Sequence, residues 1–191
     1  MTNELSLNPA VTLDRALDQA LGSGTAAGSW RLDPQKSSVE FRARSIWGLV
    51  PVHGTFRTVE GGGRVAADGT VVGALTIGAD SLETGNAKRD VHLRGKAFFD
   101  VENHPSLVVN ISGADRIGNG RLRVAGALQV LAATRPIAFD AAVVALSEST
   151  AQLRAELVVD RHEFGLTWNQ LGMLTRNVTA RVLLSLARDA A

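Results

Sequence analysis

The side chains best suited to chemistry are four histidines spread over residues 53–162 and an adjacent Arg89-Asp90 pair. No two histidines lie two or four residues apart, the spacings that place metal ligands on one face of a strand or helix. Arg89 could donate to a carbonyl or phosphate oxygen of a ligand. Alternatively, Arg89 pairs with a carboxylate, Asp90 caps a turn, and His92 is structural. Neighbouring strand residues point to opposite faces, so Arg89 and Asp90 are not expected to act at one spot.

Motifs of the common enzyme classes do not occur in the sequence. It contains no Gly-x-Ser-x-Gly elbow, P-loop or dinucleotide fingerprint. It also contains no cysteine, which excludes disulfides, thiolate catalysis and cysteine-ligated metal clusters. We therefore assign no catalytic residue, no metal site and no catalytic cofactor. A cofactor-free lyase or isomerase acting on an apolar substrate stays as an alternative, with His53 and His92 meeting in space.

Length and charge describe an ordinary globular chain. The 191 residues suit one main domain, and the net charge of +1 does not favour nucleic acid as a partner. No apolar run reaches the length of about 18 residues that a transmembrane helix needs. The first 21 residues carry acidic side chains and lack the basic and apolar regions of a signal peptide. We expect a cytoplasmic protein.

An N-terminal extension, residues 1–28, differs from the domain at 29–191. Asn8 and Pro9 form a helix-start signal, Leu13 and Leu17 recur at helical spacing, and Gly22 can end the helix. The following residues to Gly28 are typical of a flexible linker. This helix either packs over a barrel end or recruits a partner, or it simply docks on the domain or is partly disordered.

From Trp30 onward, apolar residues alternate with polar ones in at least eight segments, the pattern of strands with one buried face. Turn residues separate the segments at Asp68-Gly69, Gly118–Gly120 and Gly61–Gly63. No comparable helical pattern lies between them. The sequence therefore predicts an all-β fold, an eight-stranded or slightly larger antiparallel extended barrel that closes to protect its edges.

The apolar faces of these strands repeatedly carry small residues, which bear on whether the barrel is filled or hollow. The small residues are Ala43, Gly54, Gly73, Gly126, Ala141 and Ala155. Small side chains opposite large ones either interdigitate or leave space, and periodicity alone does not choose between the two. A space lined by aliphatic and aromatic side chains would be dry and would suit hydrocarbon.

Several longer motifs resemble the YceI-like family. Residues 81–93 read SLETGNAKRDVHL and are followed by Phe98-Phe99-Asp100; residues 53–56 read HGTF and residues 161–166 read RHEFGL. The resemblance extends from about Trp30 to Ala187. It implies a lipocalin-like barrel that carries or stores a polyisoprenoid, such as an isoprenoid quinone or polyprenyl lipid, rather than an enzyme. A lipid-free, stress-related interaction module is a further alternative.

The predicted ligand-binding residues are the large inward side chains and those of the motif around Arg89. They are Val39, Phe41, Trp47, Val52, Phe56, Leu75, Ile77, Arg89, His92, Phe98, Val109, Ile111, Leu128, Phe139, Val143, Leu157 and Trp168. Phe98 and Phe99 are expected to anchor a strand start.

Two further features concern the surface of the predicted barrel. The segment between Phe164 and Leu174 contains two glycines that could act as hinges, so it is either a portal lid or a packed connector. Outward apolar residues at Val108, Val144 and Leu183 are consistent with a homodimer.

Overall fold

The computed structural model describes residues 9–45, 49–168 and 174–189, and its strands carry the period-two segments of the sequence. Within these ranges the strands are β1 Gly28–Leu32, β2 Ser38–Ser45, β3 Val50–Phe56, β4 Val59–Val65, β5 Val71–Gly78, β6 Leu82–Glu83, β7 Ser106–Gly118, β8 Arg121–Val130, β9 Ala133–Leu146, β10 Thr150–Asp160 and β11 Asn177–Arg188. The helices are α1 Pro9–Gly22 and α2 Ala87–Arg94. The predicted N-terminal helix is therefore confirmed.

Eight strands form a closed antiparallel ring in the order β1-β4-β5-β7-β8-β9-β10-β11, which confirms the predicted barrel. The ring closes because β1 pairs on one side with β4 and on the other with the end of β11, where Trp30 lies opposite Arg188. The first half of β11 instead pairs with β2, and β3 and β6 extend the sheet from there. Because every ring strand has two neighbours, the ring has no exposed edge.

The glycine triplet was predicted to form a turn, and that prediction is wrong. Gly61–Gly63 lie inside β4, between β1 and β5. A Cβ atom at Gly61 would lie 2.2 Å from the Ala74 carbonyl oxygen, and one at Gly62 would lie 2.3 Å from the Trp30 carbonyl oxygen. Glycine is needed there because the neighbouring backbones approach too closely for any side chain.

The other two predicted turns are present. Asp68-Gly69 lies in the connection from β4 to β5, and Gly69 has a φ of +84°. Gly118–Gly120 connect β7 to β8, with all three residues at positive φ. Positive φ is disfavoured for most residues with a side chain, which explains the glycines and the asparagine in these turns.

Helix α2 interrupts the run of strands and was not predicted. Asn86 begins it, since its side chain accepts a hydrogen bond from the Arg89 backbone N–H at 3.1 Å. Arg89 and Asp90 therefore lie on a helix, and the prediction based on a strand is wrong for them. Phe98 and Phe99 follow in a turn region well before β7 begins at Ser106, so they do not anchor a strand start.

In the described part of the chain, neither helix has the length and apolar character needed to cross a bilayer.

Candidate ligand cavity

The interior of the barrel is hollow, with a cavity of about 880 Å³. The inward side chains of the alternating strands line it, including Leu75, Val109, Leu128 and Leu157. Of the two alternatives that the sequence leaves open, the structure therefore has the space rather than an interdigitated core. A cavity of this size lies within the range of small-molecule sites and is lined as a hydrocarbon site would be.

The predicted ligand-binding residues come together in this one cavity. Those that line it are Val39, Phe41, Val52, Phe56, Leu75, Ile77, Arg89, His92, Phe98, Val109, Ile111, Leu128, Phe139, Val143, Leu157 and Trp168. Trp47 lies outside the described residues. For the residues of this set that lie on strands, the period of two in the sequence assigned their side chains to the interior.

The small residues do not all contribute to the space. A Cβ atom at Gly54 would lie 2.2 Å from Phe41 Cζ, so the ring of Phe41 already fills that position. At Gly126 a Cβ atom would lie 2.1 Å from the Asn110 carbonyl oxygen, which reflects close approach of two strands. Ala141 and Ala155, in contrast, border the cavity itself.

Helix α1 covers one end of the barrel. Leu17 is only 4% exposed, packs with Leu122 and Val124 of β8, and lines the cavity. The Asp14 carboxylate accepts hydrogen bonds from the backbone N–H groups of Asn119 at 2.8 Å and of Gly120 at 2.6 Å. This end of the cavity is therefore apolar, and main-chain donors of the β7–β8 turn hold its cover.

The opposite end carries most of the polar side chains that border the cavity. Asn86, Lys88, Arg89 and His92 come from α2 and the residue before it, and Arg161 follows β10. Glu40 and Arg64 also border the cavity elsewhere. Arg188 at the end of β11 contacts the segment after α1, whereas Arg161 follows the residue that lies opposite the beginning of β11. Helix α1 and Arg161 therefore lie at opposite ends of the barrel.

His92 borders the cavity at this end and has unused hydrogen-bonding capacity. Its Nε2 atom is buried and has no partner among the described residues. Its ring lies 4.3 Å, centroid to centroid, from the ring of Trp168. A buried polar atom without a partner is costly, so an oxygen-bearing ligand group at this position would be favoured.

Arg89 and Asp90 both contact the loop before α2. Arg89 donates from Nε to Thr84 Oγ1 at 2.7 Å and from Nη2 to the Thr84 carbonyl oxygen at 2.8 Å. Asp90 Oδ1 accepts from the Thr84 backbone N–H at 3.0 Å. In the described structure Arg89 thus pairs with Thr84 rather than with a carboxylate, and the two adjacent residues do act at one place.

Arg161 is a functional candidate that the sequence reasoning missed. It is 1% exposed, and its guanidinium donates to the backbone carbonyls of Leu166, Trp168, Leu174 and Thr175. Burial lowers the pKa of this guanidinium, while the Asp160 carboxylate opposes the shift. Nothing in the sequence separates a buried arginine from the exposed ones.

The same contacts bear on the predicted lid between Phe164 and Leu174. Arg161 holds both flanks of this segment, and residues 169–173 lie outside the described part of the chain. The lid therefore stays a prediction.

His53 and His92 do not border the same cavity. His53 is exposed on β3, next to the inward Val52, whereas His92 borders the cavity. Across the residues that the structure describes, no three His, Asp or Glu side chains meet as metal ligands.

The fold and the cavity define a class of protein, the closed antiparallel barrel with an internal apolar ligand site. Within that class the chain belongs to the YceI-like family, since residues 30–186 match the YceI-like domain. The expected family is thereby confirmed. Helix α1 lies outside the matched range.

Relatives and solved structures agree with this assignment. A UPF0312 protein of Pectobacterium atrosepticum is 26% identical over 175 residues, which cover 85% of this chain and 88% of the relative. The crystal structure of BcnA from Burkholderia cenocepacia has a TM-score of 0.72 at 19% identity and covers 81% of this chain and 98% of its own. A polyisoprenoid binding domain from Saccharophagus degradans has a TM-score of 0.69 at 16% identity, with 84% and 98% covered. These structures share the fold.

Proposed function

We propose that this protein binds a long-chain isoprenoid lipid, an isoprenoid quinone or polyprenyl lipid, in its barrel and carries or stores it. The observation that carries the proposal is the apolar cavity of about 880 Å³ running through a closed barrel. Burial contributes about 0.8 kcal/mol per CH₂ group, so each five-carbon unit adds roughly 3 to 4 kcal/mol. A long hydrocarbon therefore binds tightly with few polar contacts.

The choice of an isoprenoid among hydrocarbons rests on the family and on the neighbouring structure from Saccharophagus degradans, which is a polyisoprenoid binding domain. Phe41, Phe56 and Phe99 give part of the cavity wall a tilted and edge-on aromatic lining. Such rings pack well against branched, partly unsaturated chains.

The head group of the lipid is placed at the α2 end in this proposal. Lys88 and Arg89 supply positive charge there, and His92 Nε2, which has no partner among the described residues, supplies a further polar contact. Charge-assisted donors suit a phosphate or a quinone carbonyl oxygen. The residues at this end act as ligand-orienting groups, and the proposal assigns them no chemical step.

The experiment that tests the function is extraction of the full chain purified from its native cells, followed by mass spectrometry of the organic phase. We expect about one isoprenoid lipid per protein. In parallel, added polyprenol should change the tryptophan fluorescence of lipid-stripped protein, because Trp30 and Trp168 border the cavity.

Two results would count against lipid binding. An empty extract together with no fluorescence response would favour the lipid-free interaction module. Release of a chemically altered lipid during incubation would favour an enzyme.

A further inference from the structure

We infer that α1 sets the longest isoprenoid chain that the cavity accepts, an inference that rests on the proposed function. The helix forms the floor of the cavity at the end away from α2. Leu17, Ala20 and Leu21 point into the lining, and Leu17 is 4% exposed. A chain that enters tail first from the α2 end therefore meets α1 last.

Helix α1, which forms this floor, is bound to the barrel on two sides, so it resists displacement by a ligand. On one side Asp14 accepts from the β7–β8 turn, and Asp18 pairs with Arg116 of β7. On the other side the C-terminal end of α1 lies against the β4–β5 turn, where a Cβ atom at Gly69 would be 2.9 Å from the Leu21 carbonyl oxygen.

The segment after α1 is also held. Arg188, at the end of β11, donates to the backbone carbonyls of Thr25 and Ala27. The Trp30 indole donates to the Ala26 carbonyl oxygen at 2.9 Å. Because the middle and the C-terminal end of α1 and the connection after it all contact the barrel, these contacts fix the position of Leu17.

The depth of the cavity follows from the strands. Inward residues of β8 that line it run from Leu122, beside Leu17, to Val130. This separation is about 26 Å along the strand. With the usual strand tilt of about 40°, the depth along the barrel axis is about 20 Å, the length of about four extended isoprene units.

The match to the YceI-like domain begins at residue 30, so the floor is built by residues that the family domain does not include. Family members with the same barrel but a different N-terminal segment would then accept isoprenoid chains of different maximum length, although their strands line the cavity in the same way. This makes α1 a specificity-determining element.

The experiment measures binding of polyprenols of increasing length to the lipid-stripped full chain by tryptophan fluorescence. For the natural sequence we expect affinity to rise by about a hundredfold or more per unit up to the limit and then to level off. Leu17→Ala removes bulk at the floor and should move the limit up by about one unit. Ala20→Leu adds bulk and should move it down by about one unit.

Val11→Ala is the matched control, since Val11 lies on the same helix and is 48% exposed. It should leave the limit unchanged. Circular dichroism confirms that each variant is folded, and if Leu17→Ala is not, Ala20→Leu decides alone.

The inference is overturned if polyprenols bind with rising affinity but the limit is the same in all four proteins. If no polyprenol of any length binds to the natural sequence, the proposed function itself fails, and the two failures are therefore distinct.

Discussion

The two ends of the barrel differ in the polarity of the side chains that border the cavity. At the α1 end, leucines face the cavity, and the Asp14 carboxylate of the helix accepts from main-chain N–H groups of a turn. At the α2 end, cationic side chains border the same cavity, together with a His92 nitrogen that no described residue contacts by a hydrogen bond. The difference gives the site a direction, with the hydrocarbon tail towards α1 and the polar head towards α2.

Filling the half of the cavity next to α1 should have the largest effect on lipid binding. Ala155→Phe places a ring in the cavity beside Ala141, where the structure has room for it. A ring that displaces about five ligand carbons removes about 4 kcal/mol, so binding of a long polyprenol should weaken several hundredfold. Titration by tryptophan fluorescence measures this.

Ala138→Phe is its matched control, because Ala138 is exposed on the outer face of β9. Equal binding by both variants would mean that the ligand does not use the interior. Gly126 is unsuitable for such a test, since any side chain there meets the Asn110 carbonyl oxygen.

Removing the polar atom at the α2 end should have a smaller effect, confined to lipids with a head group. His92→Phe keeps a ring against Trp168 but deletes Nε2. One lost hydrogen bond costs about 1 kcal/mol, so a polyprenyl phosphate or quinone should bind roughly fivefold to tenfold more weakly. Squalene, a hydrocarbon without a head group, should bind as before.

His53→Phe, on the exposed face of β3, should change neither ligand. If His92→Phe weakened the binding of squalene as much as that of the polyprenyl phosphate or quinone, the head group would instead lie elsewhere.

Loosening α1 should lower the stability of the protein. Asp14→Ala removes the acceptor of two turn N–H groups. We expect a loss of about 1 kcal/mol and a Tm lower by about 2 to 4 °C. Hydrogen exchange should quicken at Asn119 and Gly120, whereas the exposed Thr12→Ala should leave both measurements unchanged. Unaltered exchange in Asp14→Ala would show that other contacts hold the helix.

The smallest expected effect is the pH dependence that Asp160, near the α2 end, gives to the stability of the protein. Burial raises the pKa of Asp160, but the Arg176 side chain and the His162 backbone N–H bind its carboxylate and hold the pKa below its usual 3.8. A depressed folded-state pKa stabilises the protein above the unfolded value, and this contribution is lost as pH falls through the folded value. The Tm gap between the natural sequence and Asp160→Asn should therefore be widest well above pH 3.8 and should close as the pH falls below that value. A constant gap would contradict the assignment.

The strands and their inward faces could be predicted because alternation in sequence maps directly onto the two faces of a strand. Helix α2 could not, because its apolar residues Val91 and Leu93 are two apart, a strand-like spacing, and Val91 is 69% exposed. The glycines of β4 were assigned to a turn because glycine serves both turns and close strand contacts. Arg161 was missed because its burial depends on carbonyls that only the folded loop brings together.

Strand β11 pairs with β10, β1 and β2, so the ring closes only after β11, which follows the other described strands in the sequence, has been translated. Until it is translated, the nascent sheet has two open edges, and its apolar inner surface is exposed to water or chaperones. A stop codon before residue 177 should therefore yield aggregates rather than a smaller soluble barrel.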